Sequence, residues 1–331
     1  MKKILLILLV SIGIVSCSTS SDPIAETNNP PKEYTVSLGL AGEITNIENS
    51  PLTKAVTNNL YGIQVYSMPS TGGEYKPYAY GLFDDISSLK IKLLEGYKYK
   101  FSCTMLTDGK NKITYYQHDN AYSVPFHAYN GSDGLLLSIS TSFVIGSYKC
   151  DYLDKGNSNL TIDSKSYAHP NIDRYYGETI DYTPADNSSV SINMKRVSFG
   201  AKIIAEGLTE GKLNITLDKA PSMIIPYPST EVQGIFTFEN SYPSGMTWTQ
   251  DTYTETIPIS ISWTKADGAV VPLVTQDITF TRNMLTTITV KVKDSSLSNG
   301  LSVSQESAEM GNGGSVVIDT SNSTDTPVNY S

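Results

Sequence analysis

Short alternating segments dominate this chain. Residues 34–40 repeat with a period of two, the period at which neighbouring side chains fall on opposite faces of a strand. Residues 60–68 do the same, with Ile63 and Val65 on one face and Gln64 and Tyr66 on the other. Residues 89–94 and 97–106 predict two strands around a Glu95-Gly96 turn, and Asp108-Gly109 predicts a further turn. Residues 135–145 are apolar enough for a strand or a short helix. A second group of alternating segments follows at 190–194, 197–205, 213–217, 234–238, 254–263, 270–274, 278–280 and 285–292. Asp267-Gly268 reads as a hairpin turn within it. Pro258 has no N–H to give, so its strand is expected at a sheet edge. The last short apolar run is 316–318.

Between the two groups, residues 146–187 are polar, rich in Tyr, Asp and Asn, and carry Pro170 and Pro184. They predict long loops with little regular structure. No helix-period segment lies beyond the opening run, and no repeat of fixed length appears. Strands at short spacing with Gly, Pro, Asn and Asp turns predict an all-β fold of two tandem β-sandwich domains. The expected boundaries are 33–187 and 188–318, with a disordered tail over 319–331.

The opening run is different in kind. Met1-Lys2-Lys3 precedes an apolar stretch over 4–15 that ends at Ser16-Cys17. A basic start, an apolar core and a small residue before the cut describe a secretory signal over 1–16. The core is shorter than the ~20 residues a membrane span needs. Residues 17–32 are polar and proline-bearing, and read as a flexible tether. Because Cys17 follows the small residues directly, the segment resembles a bacterial lipoprotein signal. That resemblance implies that Cys17 is lipidated and becomes the new N-terminus, anchoring the chain to a membrane.

Composition narrows the function classes. The chain has 331 residues and a net charge of −9, which argues against nucleic-acid binding, since that requires a basic surface. With Cys17 assigned to lipid, Cys103 and Cys150 remain. An exported protein meets an oxidising compartment, so they are either bridged or two buried thiols. Tyr is abundant at 22 residues and Trp is scarce at 2. Tyr suits strands with one wet face, which is the reading adopted, and the alternative is a glycan-binding platform. Of the two tryptophans, Trp263 lies in an alternating strand, and Trp248 is the candidate for sugar contact.

Catalytic signals are sparse. His118, His127 and His169 do not fall at the spacing of a helical zinc motif. No nucleophile elbow or phosphate loop is present. Asp84-Asp85 would point to opposite faces of a strand and reads as a turn. The acidic stretch from Asp151 to Asp163 lacks the order of a calcium loop. The reading is therefore no catalytic residues, no metal and no cofactor. Lys195-Arg196 reads as a solvated strand end.

Three segments together resemble the fimbrillin-like family of type V pilus lipoproteins. Residues 191–202, with Lys195-Arg196 before Val197 and Ala201-Lys202 after it, resemble the strand that opens that family's second domain. Ser50-Pro51-Leu52-Thr53-Lys54-Ala55 is similar to its early basic processing site, with Lys54 standing where the family more often has Arg. Residues 280–290 resemble its late strand pair. The resemblance implies transthyretin-like sandwiches and assembly by strand exchange. Cleavage between Lys54 and Ala55 would release residues 34–40, with or without 44–47, and a strand from another subunit would fill the groove. The donor would come from the C-terminal part, with 301–303 and 316–318 as its apolar pieces. The implied partners are other pilus subunits, a membrane through the lipid, and a host or bacterial surface ligand. The implied location is the surface of the outer membrane. The alternative is a surface lipoprotein that captures glycans.

Overall fold

The structure, a computed structural model, describes residues 30–43, 58–154, 159–239, 249–292 and 303–310. In the first half run β1 (Glu33–Gly42), β2 (Leu60–Pro69), β3 (Lys76–Phe83), β4 (Lys90–Leu94) and β5 (Tyr97–Leu106). After these come α1 (Gly109–Lys112), β6 (Tyr115–Tyr116), β7 (Ala121–Asn130), β8 (Asp133–Leu137), β9 (Val144–Ile145) and α2 (Asp151–Asp154). Next are β10 (Leu160–Ile162), β11 (Lys165–Tyr167), β12 (Arg174–Tyr182) and β13 (Ser189–Arg196). The second half holds β14 (Ser198–Glu206), β15 (Lys212–Leu217), β16 (Met223–Pro226) and β17 (Glu231–Thr237). It closes with β18 (Thr254–Thr264), β19 (Val270–Thr281), β20 (Met284–Lys291) and β21 (Val303–Glu309). The all-β expectation holds.

In the first half, one eight-stranded sheet runs in the order β4-β1-β13-β12-β5-β2-β3-β9. Val36, Leu38, Ile91, Leu93, Val190, Ile192 and Met194 share a core with Ile63, Val65, Phe101 and Met105. Those residues sit on both arms of the sheet, so the sheet curls over its own inner face. The register of β12 shifts between Thr179 and Tyr182, an irregularity of the kind that bends a strand. The outer face of β2, β3 and β5 is covered by a second layer. There Leu60, Tyr80, Leu82 and Leu106 pack with Phe126, Leu137, Leu153 and Ile172.

In the second half, two four-stranded sheets face each other, in the orders β17-β14-β20-β21 and β16-β15-β18-β19. Alternation explains the packing directly. Along β18, Ile257, Ile259, Ile261 and Trp263 are buried, while the residues between them face out. They meet Phe199, Ile203, Phe236, Phe280 and Ile288 in one core.

Four expectations need correction. Residues 146–187 are not mainly loop, because β12 is a nine-residue strand inside the large sheet. Both faces of β12 are covered at Tyr175, Tyr176 and Gly177, so it shows no alternation to read. The strand expected to open the second half, β13, pairs with β1 and β12 instead. Pro258 lies in an interior strand. Its carbonyl accepts from the Asp218 amide at 2.9 Å, beyond the end of β15 at Leu217, so the missing N–H points where no partner strand continues. Last, β4 and β5 do not pair across their turn. The turn carries the chain across the core, so that β4 joins β1 and β5 joins β2 and β12.

Candidate functional site

The strand nearest the N-terminus in the described residues, β1, is paired on both sides. It runs antiparallel to β4 from Glu33 to Ser37 and parallel to β13 from Ser37 to Gly42. Its inward residues follow the period of two. Val36 and Leu38 are buried, and Tyr34 and Leu40 pack on the same core. Burying a side chain of this size contributes roughly 1.5–3 kcal/mol. Removing β1 would open a slot in the core and unpair the facing edges of β4 and β13.

The far end of β1 is held by charge. Gly42 adopts a left-handed backbone (φ 85°), and a Cβ there would meet the Asn193 side chain and the Met194 carbonyl. Glycine is required at such a position. The turn it permits brings the Glu43 amide onto the Met194 carbonyl at 3.0 Å. It also sends the Glu43 carboxylate towards the second half. Arg282, between β19 and β20, grips that carboxylate as a fork: Nη1 to Oε2 at 2.7 Å and Nη2 to Oε1 at 3.1 Å. The Arg196 amide donates to Oε2 at 2.7 Å, and Lys195 Nζ lies 3.6 Å from Oε1.

This socket is itself braced. Arg282 is only 3% exposed at its side chain. Its other donors reach the Gln250 carbonyl, the Arg196 carbonyl and Asp251. Arg196 forms its own fork with Asp173, at 2.8 and 2.6 Å. Burial alone would raise the Glu43 carboxyl. Arg282, the Arg196 amide and Lys195 outweigh it and hold that carboxyl below its usual range. Burial likewise works against charge on Arg196, and the Asp173 carboxylate overcomes it. Nearby, His169 presents Nδ1 to the Asp218 carbonyl and Nε2 to Glu255, both at 2.9 Å, and so ties the loop before β12 to the second half.

The residues expected to carry function are scattered. Cys17, Lys54, Ala55 and Trp248 lie outside the described residues, as do 44–47, 301–302 and 316–318. Val303 falls in β21, which pairs with β20. Cys103 and Cys150 are both buried and are not joined in a disulfide. The reason is geometric: Cys103 belongs to the inner core of the large sheet and Cys150 to the outer layer. Burial pushes the Cys103 thiol well up. Trp263 is core, with Nε1 donating to the Glu210 carbonyl.

Lys195-Arg196 is not the solvated strand end expected, because Arg196 is largely buried and both residues take part in the socket. Asp85 accepts from the Ser87 amide in a turn, and Asp84 pairs with Lys110. Among the described residues, no group of three or more His, Cys, Asp or Glu could hold a metal ion, and no helix is long and apolar enough to cross a membrane. Sequence reading missed Glu43, Asp173, Asp251 and Arg282. Glu43 and Arg282 are 239 residues apart, so no local spacing could reveal the pair.

No family model and no curated protein matches the chain. Solved structures do show likeness in fold. The fimbrial anchor protein Mfa2 from Porphyromonas gingivalis is 10% identical, with 87% of this chain and 99% of that one covered, at a TM-score of 0.36. A fimbrial assembly protein from Parabacteroides distasonis is 12% identical, with 85% and 100% covered, at a TM-score of 0.34.

Proposed function

We propose that this chain is a non-enzymatic, lipid-anchored cell-surface protein, a structural or adhesive subunit of a pilus built by strand exchange. The observation that carries the reading is the place of β1. It lies close to the N-terminus, it is paired on both edges, and it supplies part of a core. The segment that follows it contains the basic site Lys54-Ala55. A cut there would leave β1 bound by non-covalent contacts alone. Its departure would expose unpaired backbone groups and an apolar slot, and an incoming strand would satisfy both at once. Other subunits are then partners by strand addition. The lipid on Cys17 would hold the uncut chain at the outer membrane.

The test is mass spectrometry of the mature N-terminus, on protein sheared from native cells. A start at Ala55 in high-mass ladders is the expected result for a polymerising subunit. A lipid-modified Cys17 on unpolymerised chains only would overturn strand exchange in this protein.

A further inference from the structure

We propose that the end of β1 is a brace that fixes the angle between the two halves, and that loosening Glu43 lets the halves part on that side about a pivot at Val197. The brace does not depend on strand exchange. Joined to that reading, the departure of β1 would free the angle as well.

The sheet order sets out the parts of the hinge. β13 lies between β1 and β12, parallel to the first and antiparallel to the second. The end of β1, the end of β13 and the start of β12 therefore stand side by side at one end of the sheet. In the middle, the chain crosses into the second half through Val197, the single residue between β13 and β14. Its amide donates to the Arg174 carbonyl at 2.8 Å. Glu43 lies on one side of this crossing, and residues 168–173 lie on the other.

The two sides are fastened unequally. Residues 168–173 belong to the first half through Ile172, which packs in the outer layer. They are stitched to the second half largely by backbone. The His169 amide donates to the Lys219 carbonyl and the Thr237 amide to the Pro170 carbonyl, both at 3.0 Å. The Thr237 hydroxyl adds a bond to the Ile172 carbonyl at 2.9 Å, and the His169 ring meets Glu255. On the other side, the fork from Arg282 and the bond from the Arg196 amide converge on one carboxylate.

Little on that side replaces Glu43. Lys195 still reaches Asp251, but Asp251 is 74% exposed at its side chain, so water screens the pair. Arg282 keeps its bond to the Arg196 carbonyl, one residue from the pivot, where a bond resists rotation least. Arg196 Nη1 keeps a long contact with Asn283 at 3.5 Å, and Asn283 is itself bonded to Ser198 beside the crossing. The carboxylate left to Arg282 among the described residues is Asp251. A buried arginine without its fork is a poorly compensated charge. It regains water only if this side of the junction opens.

The experiment measures distances between paired spin labels on the full, uncut chain carrying Cys17→Ser. Cys103 and Cys150 are buried and stay unlabelled. One pair, Ser37→Cys with Thr252→Cys, spans the Glu43 side. The other, Ser166→Cys with Ser222→Cys, spans the stitched side. All four positions are exposed. With Glu43→Gln, the population at a longer Ser37–Thr252 distance should rise by about tenfold or more, as loss of hydrogen bonds to a charged group implies. The Ser166–Ser222 distance should stay as in the wild type. An unchanged Ser37–Thr252 distance overturns the brace. Equal lengthening of both distances overturns the pivot, since the whole junction would then be loosening. Should Glu43→Gln not fold, Glu43→Asp decides. One methylene shorter, it cannot reach both Arg282 nitrogens, and the same distance must lengthen or the brace fails. The chain is never cut, so failure here leaves strand exchange standing, and failure of strand exchange leaves the brace.

Discussion

The two halves solve the same packing problem with different parts of the chain. Each contains one parallel strand pair, β1 with β13 and β14 with β20. In the second half, every core-cluster residue whose side chain is described lies between Phe199 and Val292. Its one strand from beyond that stretch, β21, sits at a sheet edge and pairs with β20 alone among the described residues. In the first half, the strand nearest the N-terminus among the described residues is interior and contributes core residues. A terminal strand at an edge leaves by breaking one ladder. A terminal strand in the interior must break two, and in β1 it takes buried side chains with it. On the proposed strand exchange, β1 is the element that would depart.

The comparison predicts how each core fails. Phe199 is fully buried, with the Phe238 and Phe280 rings at 4.8 and 4.5 Å. Phe199→Ala should cost about 3–5 kcal/mol in denaturant unfolding. Amide exchange should rise through β14, β17 and β20 while β1 keeps its protection. Equal loss of protection in β1 would mean that the halves do not fail separately.

Leu38→Ala tests the other core. Leu38 is almost fully buried but lies on a strand close to the chain end. About 2–3 kcal/mol is expected, towards the lower end for Leu→Ala, because β1 can shift to relieve the cavity. Exchange should rise first in β1, β4 and β13, with the second half unaffected. If exchange rises evenly through the molecule, β1 is no more separable than any other strand.

These variants also mark what the sequence reveals. Leu38 and Phe199 are visible as core positions, because alternation alone places them inside. The second half is legible strand by strand for this reason. β12 is hidden because both of its faces are covered. The site is hidden for a different reason. Glu43 follows Gly42 in a stretch with no charge pattern, and Arg282 sits in a turn between two strands. Only the meeting of the two halves makes them a pair, and that meeting is encoded in no local spacing.

Acid should act on the two halves unequally, through Glu43. Its carboxyl is depressed in the folded chain and would titrate near 4.3 when unfolded. A depressed carboxylate contributes stability that is present above the unfolded value and is lost as pH falls through the folded one. Above about pH 5 the socket should hold fully. Below about pH 4 it should weaken, and exchange in β1 should accelerate. Glu43→Gln should remove this acid sensitivity from β1. A β1 whose exchange follows the same acid profile with and without Glu43 would show that the socket does not carry it.

The smallest effect is expected at the opposite end of the same strand. Glu33 pairs with Lys92 at 2.6 Å, and Lys32 pairs with Asp186 at 2.6 Å. By distance alone these bonds rival those at Glu43. They differ in surroundings, since Lys92 is 68% exposed at its side chain and Arg282 only 3%. Water and salt screen an exposed pair, and ordering two long side chains offsets much of what remains. Lys92→Ala should therefore change stability by no more than about 0.5 kcal/mol and leave β1 exchange unaltered. A larger effect would mean that β1 is fastened at both ends, and release would then need both fastenings undone. With one fastening only, β1 should peel from the Glu33 end, and the Glu43 socket should be the last contact broken.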